Sequence, residues 1–127
     1  MKGKPFLIMA SALFFMVSCD NQKQIISSLA IEQNTKQLIF FSDSEEYEQE
    51  VSYYDAIIEL KRDYPEEIKN IKIFSSSDSK KYFKTFQIDR CPALIVYYNN
   101  EIIVKIEGKS TTEEIVIPVS NVLSSSY

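Results

Sequence analysis

Hydrophobic positions along this chain fall into two kinds, short unbroken runs and residues repeating at helical spacing, and the two kinds alternate. Leu38-Ile39-Phe40-Phe41 is continuous, the pattern of a strand buried on both faces of a sheet. Val51, Tyr54, Ile57, Ile58, Leu60 and Tyr64 then recur at helical spacing until Pro65 stops the pattern, which predicts a helix over about 47–64. The acidic stretch Asp43 to Glu50 lies at its start, where carboxylates complement the positive end of the helix dipole. Ile71 to Phe74 is a second apolar strand, followed by Ser75-Ser76-Ser77 and by Asp78, a predicted N-cap. Tyr82, Phe83 and Phe86 share one face of the short helix after it. Ala93 to Tyr98 reads as a third strand, Asn99-Asn100 as a turn and Ile102 to Ile106 as a fourth strand. A connection that short forces the two strands to be antiparallel, and Gly108 ends the hairpin. Thr111 with Glu114 three residues on is a capping-box signal for a last helix, with Ile115, Val119, Val122 and Leu123 facing inward. Pro118 inside that helix should kink or split it.

The predicted order is β-α-β-α-β-β-α. A helical link between the first two strands makes them parallel with a right-handed crossover. The fold class is therefore α/β, a three-layer sandwich in which helices cover both faces of a four-stranded mixed sheet.

The N-terminal region follows a different logic. Lys2 and Lys4 precede an almost unbroken apolar run, Phe6 to Val17, and then Ser18-Cys19. A basic start, a short apolar core and a small residue before a cut describe a secretory signal, and the run is too short to span a bilayer. Met16-Val17-Ser18-Cys19 resembles the lipobox of bacterial lipoproteins. The resemblance implies that Cys19 is acylated with diacylglycerol and that the chain is cut just before it. Two or more acyl chains would hold the protein on a membrane, each buried methylene contributing about 0.8 kcal/mol. An ordinary signal with Cys19 as a plain thiol, or an uncut anchor, is the alternative. The expected organisation is a lipoprotein signal at 1–18, a tether at 19–36, one domain at 37–123 and a frayed tail at 124–127. The tether carries a small apolar patch (Ile25, Ile26, Leu29, Ile31) that suits a helical turn or two, or an edge strand.

Composition narrows the chemistry. Residues 1–18 hold two lysines and no acid, so the 109 residues beyond them carry 12 basic against 18 acidic side chains, a formal charge of −6. Nucleic acid is thereby excluded as a partner, since phosphate contacts need clustered cations. With no His there is no histidine base, triad or histidine metal ligand. Glycine occurs only at Gly3 and Gly108, too few for a phosphate-cradling loop. Nothing in the chain calls for a cofactor. If Cys19 is acylated, Cys91 is the one thiol left, and a lone thiol cannot run a dithiol cycle.

One segment, Phe86-Gln87-Ile88-Asp89-Arg90-Cys91-Pro92-Ala93 through Tyr98-Asn99-Asn100-Glu101, is similar to the part of thioredoxins where an aromatic-x-Ile leads into a cis-proline, an apolar strand and a polar turn. With the element order and the position of Gly108, it makes residues 37–123 resemble a thioredoxin-like domain. The resemblance implies that Pro92 is cis and that Cys91 lies beside a peptide-binding groove. A trans proline at a strand start is the plain alternative. Thioredoxins place Cys-x-x-Cys just after the first of these strands. This chain has Ser42-Asp43-Ser44-Glu45-Glu46-Tyr47-Glu48 there, with no thiol. The combination of lipobox and thiol-poor domain also resembles small lipoproteins of Gram-positive bacilli, some of them labelled peptidoglycan-associated.

The candidate sites each have two readings. Cys91 is either a single thiol forming mixed disulfides, aided by the neighbouring Arg90, or a small apolar side chain packed under the first helix, which is the expectation. Asp43, Glu45, Glu46 and Glu48 are either contacts for a groove ligand or a hard cation, or a solvated helix start, again the expectation. No metal centre is expected. Among the tyrosines, Tyr54 and Tyr82 read as core, and Tyr97 and Tyr98 point to opposite faces of their strand. The expected function is that of a redox-inactive binding or scaffolding module, lipid-anchored through Cys19 on the extracytoplasmic face of the cell membrane. Its partner would be an envelope protein or a cell-wall component. The alternative is a single-thiol redox protein using Cys91.

Overall fold

The computed structural model describes residues 29, 31–32, 34–42, 45 and 47–125, and their side chains apart from those of 76–79. The chain divides into two compact units, Met1–Ile31 and Glu32–Tyr127, and the second is the domain described below. The signal at 1–18, Cys19, the apolar patch of the tether except Leu29 and Ile31, Asp43, Glu46 and the last two residues of the tail lie outside the described residues.

Four strands and four helices follow one another in the order β1 (Gln37–Phe41), α1 (Tyr47–Asp63), α2 (Pro65–Ile68), β2 (Lys72–Phe74), α3 (Ser76–Phe86), β3 (Ala93–Tyr98), β4 (Glu101–Glu107) and α4 (Thr112–Ser124). The strands form one sheet, ordered β2-β1-β3-β4. β1 runs parallel to β2 with Phe40 opposite Ile73, and antiparallel to β3 with Phe40 opposite Leu94. β3 and β4 are antiparallel and joined by Asn99-Asn100, both at positive φ (53° and 67°). That backbone matches the twist of a two-residue hairpin, and Asn adopts it more readily than most residues. The pairing slips once, since Val96 pairs with Val104 and Tyr97 with Ile102, which leaves Ile103 as an extra residue in β4.

Alternate side chains of β1 and β3 build two apolar layers. Leu38, Phe40, Leu94 and Val96 are fully buried with Tyr53, Ala56 and Leu60 of α1 and Ile115 and Val119 of α4. On the opposite face Phe41 packs against Phe74, Phe83 and Phe86, at ring separations of 5.7, 6.2 and 6.0 Å, and Phe86 meets Tyr97 edge-on at 5.5 Å. Aromatic pairs at these distances add about 0.5–1.5 kcal/mol beyond burial of their area. Among the described residues no helix is long and apolar enough to cross a membrane.

Several expectations need correction. The buried face of α1 is Glu50, Tyr53, Ala56 and Leu60; Tyr54, read as core, is 39% exposed, and Val51 and Ile58 of the same helical pattern are 44 and 67% exposed. Helix α1 carries two apolar stripes, and the one containing the small Ala56 meets the sheet. Pro65 does more than stop α1. It occupies the first turn of α2, where its fixed φ suits a helix start and a missing N–H costs nothing. The N-cap of α3 is Ser75, with extended backbone (φ −72°, ψ 167°), and Asp78 falls inside the first turn. Helix α4 is not split at Pro118 and runs through it as one element. A proline in a helix interior costs about 3 kcal/mol. Burial of Ile115, Val119 and Leu123 on the same helix, at about 1.5–3 kcal/mol each, outweighs it. The capping box of α4 forms as read: the Thr111 hydroxyl accepts from the Glu114 N–H at 3.1 Å, and the Thr111 N–H donates to Glu114 Oε1 at 3.4 Å.

Candidate functional site

Three segments meet at the end of the sheet where α1 begins: the first turns of α1, the loop Arg90–Pro92 ahead of β3, and the turn Gly108–Ser110 after β4. Backbone and side-chain hydrogen bonds tie them together. The Cys91–Pro92 peptide bond is cis. The Gly108 N–H donates to the Pro92 carbonyl at 2.8 Å, so the turn after β4 clasps the loop before β3. Gly108 has φ of 70°, in the left-handed region, and a Cβ there would stand 3.1 Å from Cδ of Arg90. Glycine is required twice over, by backbone conformation and by the Arg90 arm lying across it.

Tyr53 ties α1 into this clasp. Its side chain is fully buried, and its hydroxyl donates to the Gly108 carbonyl at 2.7 Å. Burial pushes its pKa up to about 12, opposed by a hydrogen bond with Ser110 and aided by the nearby Glu107 and Cys91. The phenol therefore stays protonated through the physiological range and acts as a fixed donor. One residue earlier, the Ser52 hydroxyl donates to the Ser110 carbonyl at 2.6 Å, and the Thr112 hydroxyl donates to the Ser52 carbonyl at 3.4 Å. Glu107 accepts from the Asp89 N–H at 3.4 Å and pairs with Lys105 at 3.6 Å, and Lys105 also donates to the Gln87 carbonyl at 2.9 Å. Glu50 is buried at the start of α1, where its carboxylate accepts from the Ser42 hydroxyl. An anion there is favoured by the helix dipole.

The structure brings Cys91 and Pro92 together with Gly108 and Tyr53. Cys91 is half-buried, less enclosed than the sequence reading expected, and lies near enough to Tyr53 of α1 to act on its hydroxyl. Glu45 and Glu48 are exposed at the start of α1. Among the described residues no group of three or more Cys, Asp or Glu side chains is placed to hold a metal ion. Sequence reasoning missed Glu107 and Ser110, gave Tyr53 no role, and placed Glu50 in a solvated acidic stretch where the structure has it buried. Adjacent tyrosines at 53 and 54 point to different sides of a helix, and periodicity weighted the wrong one. Chemically, the site offers one thiol, exposed carboxylates and a rigid loop, and no second thiol among the described residues.

No family model matches the chain. The Pal-related lipoprotein of Bacillus subtilis (strain 168) is 39% identical over 89 residues, which cover 69% of this chain and 68% of that protein. Among solved structures the chain is similar to thioredoxin-2, a component of malaria parasite protein secretion machinery (TM-score 0.55, 11% identity, 72% of this chain and 86% of that one). It is also similar to Chlamydomonas reinhardtii thioredoxin f2 (0.55, 12%, 82% and 94%) and to Schistosoma mansoni thioredoxin (0.54, 17%, 79% and 87%). At those identities the likeness is one of fold, and it agrees with the sheet order and helix placement above. The chain belongs to the family of the Pal-related lipoprotein and has the thioredoxin fold.

Proposed function

We propose that this protein is a lipid-anchored module of the cell envelope, in which a thioredoxin-type scaffold serves binding instead of disulfide exchange. In this reading residues 1–18 are removed, Cys19 carries the acyl chains, residues 19–36 are a tether and residues 37–123 form the module. The observation that carries it is the exchange of thiols for carboxylates. The loop with its cis proline, the Gly108 clasp and the start of α1 are all built, yet the segment from Ser42 to Glu48, leading from β1 into α1, carries carboxylates and no thiol. The partner class is an envelope protein or a cell-wall component that reaches the face formed by these segments. Asp43, Glu45, Glu46 and Glu48 would line its approach.

Feeding cells an alkyne-tagged palmitate and tracing the tag tests the anchor. Label on the wild type and none on C19A, with C19A released from membranes, is the expected result; an unlabelled wild type overturns it. Reduction of insulin disulfides by the purified full chain would overturn the binding reading.

A single-thiol role for Cys91 is the second reading, favoured by its half-buried position beside Pro92. Non-reducing gels of cells with wild type or C91A decide it. A covalent adduct present only in the wild type supports this role, and identical gels remove it.

A further inference from the structure

The apolar stripe of α1 that the sheet does not use is a surface in its own right. Tyr47, Val51, Tyr54 and Ile58 follow one another at i, i+4, i+7 and i+11 and are 67, 44, 39 and 67% exposed. At 1.5 Å per residue the stripe runs about 16 Å, three helical turns. It continues onto the sheet. Ile73 of the edge strand β2 is 57% exposed, and it pairs in parallel register with Phe40, so both side chains face α1. The Tyr54 ring packs edge-on against Phe40 at 5.6 Å, which joins helix stripe and strand residue into one patch. Five large apolar side chains grouped this way mark an interaction surface; scattered singly, they would need no explanation.

Charge selects the occupant. Glu48 and Asp55 are both exposed and lie seven residues apart along one flank of the stripe; Glu59 farther along is paired with Arg62 at 3.9 Å, so the acidic stretch is the N-terminal two turns. An anionic lipid surface would be repelled by that flank. A second copy fits poorly, because antiparallel pairing of the stripe on itself brings Glu48 of one copy near Asp55 of the other, twice. We propose that this patch docks a cationic amphipathic helix, with apolar side chains laid along Tyr47–Ile58 and lysines or arginines set against Glu48 and Asp55. The patch shares Glu48 with the approach proposed for the Cys91–Pro92 loop, but its apolar residues from Val51 to Ile58 and Ile73 are used by that reading nowhere, so V51S/I58S and C91A tell the two apart.

The test uses the full chain in phosphatidylcholine nanodiscs, with empty discs as the blank. The probes are two fluorescent synthetic peptides of about five helical turns, both with leucine at helical spacing, one flanked by lysine and one by glutamate. Fluorescence anisotropy should show the lysine peptide binding and the glutamate peptide binding more weakly by about tenfold. V51S/I58S should weaken the lysine peptide by about tenfold with an unchanged melting temperature, since both side chains are exposed. E48K/D55K should reverse the preference between peptides, and C91A should change nothing. Equal binding of the two peptides, or undiminished binding to V51S/I58S, overturns the proposal. So does a dimer in sedimentation velocity that I58S dissolves, which would make the occupant a second copy.

Discussion

The hydroxyl of Tyr53, in the second turn of α1, donates to the carbonyl of Gly108, fifty-five residues away, at 2.7 Å. The same Gly108 donates its N–H to the Pro92 carbonyl. One buried phenol thereby connects helix, hairpin end and proline loop. Y53F removes the donor and leaves the ring. A buried hydrogen bond of this kind contributes about 1 kcal/mol, and an unsatisfied buried carbonyl costs more, so a loss of about 1–3 kcal/mol is expected. For a domain of this size that lowers the melting temperature by several degrees, readable by circular dichroism.

The same residue sets an alkaline limit. The pKa of Tyr53 rises from an ordinary 10 to about 12 on folding, so the folded state favours the protonated phenol. Its contribution to stability is complete below pH 10 and is lost as pH climbs from 10 through 12, on the order of 2–3 kcal/mol. Tyr97, raised also by burial, contributes in the same direction. Urea titrations between pH 9 and about 12 should show stability falling in the wild type, and a shallower fall in Y53F. Equal slopes would mean that Tyr53 is not the titrating group.

Substitution of Gly108 separates two penalties. G108A places a Cβ at positive φ and within 3.1 Å of Arg90 Cδ. The conformational part costs about 1–2 kcal/mol. The steric part depends on whether the Arg90 arm swings away. In a double-mutant cycle with R90A the steric part should vanish and the conformational part remain. A fully additive cycle would show that the arm yields freely.

Lys36 closes the far end of α4. Its ammonium donates to the Val122 and Ser125 carbonyls, each at 2.6 Å, the position where a cation complements the negative end of a helix. K36M should cost about 1 kcal/mol and accelerate hydrogen exchange in the last turn of α4 while leaving its capped first turn unchanged. Uniform acceleration along the helix would contradict a local role.

Restoring the thiols probes the scaffold. E45C/E48C puts a Cys-x-x-Cys spacing at the start of α1, where a helix N-terminus depresses thiol pKa. The variant should gain insulin-reducing activity in dithiothreitol above the wild-type background. An inert variant with a formed disulfide would show that the binding face is closed to a peptide substrate.

Much of this architecture can be read directly from the chain. The runs 38–41 and 93–98 have no polar interruption, Asn99-Asn100 fits a two-residue hairpin, and Thr111 with Glu114 marks a helix start with its own hydrogen-bonding logic. These signals are local. What stays hidden is decided by partners distant in sequence. In α1 the residues 51, 54 and 58 are as periodic as 53, 56 and 60 and more hydrophobic, and only the approach of the sheet selects the stripe with Ala56. Serine at 75 and aspartate at 78 are both good caps, and the chain direction after Phe74 favours the earlier. Tyr53 gains its role from a carbonyl in another hairpin, which no pattern within α1 announces. The Cys91–Pro92 loop was located by resemblance, but its hold on Gly108 was not foreseeable from spacing.

The slip at Ile103 reaches beyond local geometry. An outermost strand offers a row of unused amides on which another chain can grow, and seven residues as rich in isoleucine and valine as β4 would be a good template. One surplus residue breaks the even beat of that row, and at the opposite margin β2 is only three residues long. Both rims of the sheet are thus poor templates for a strand of another chain.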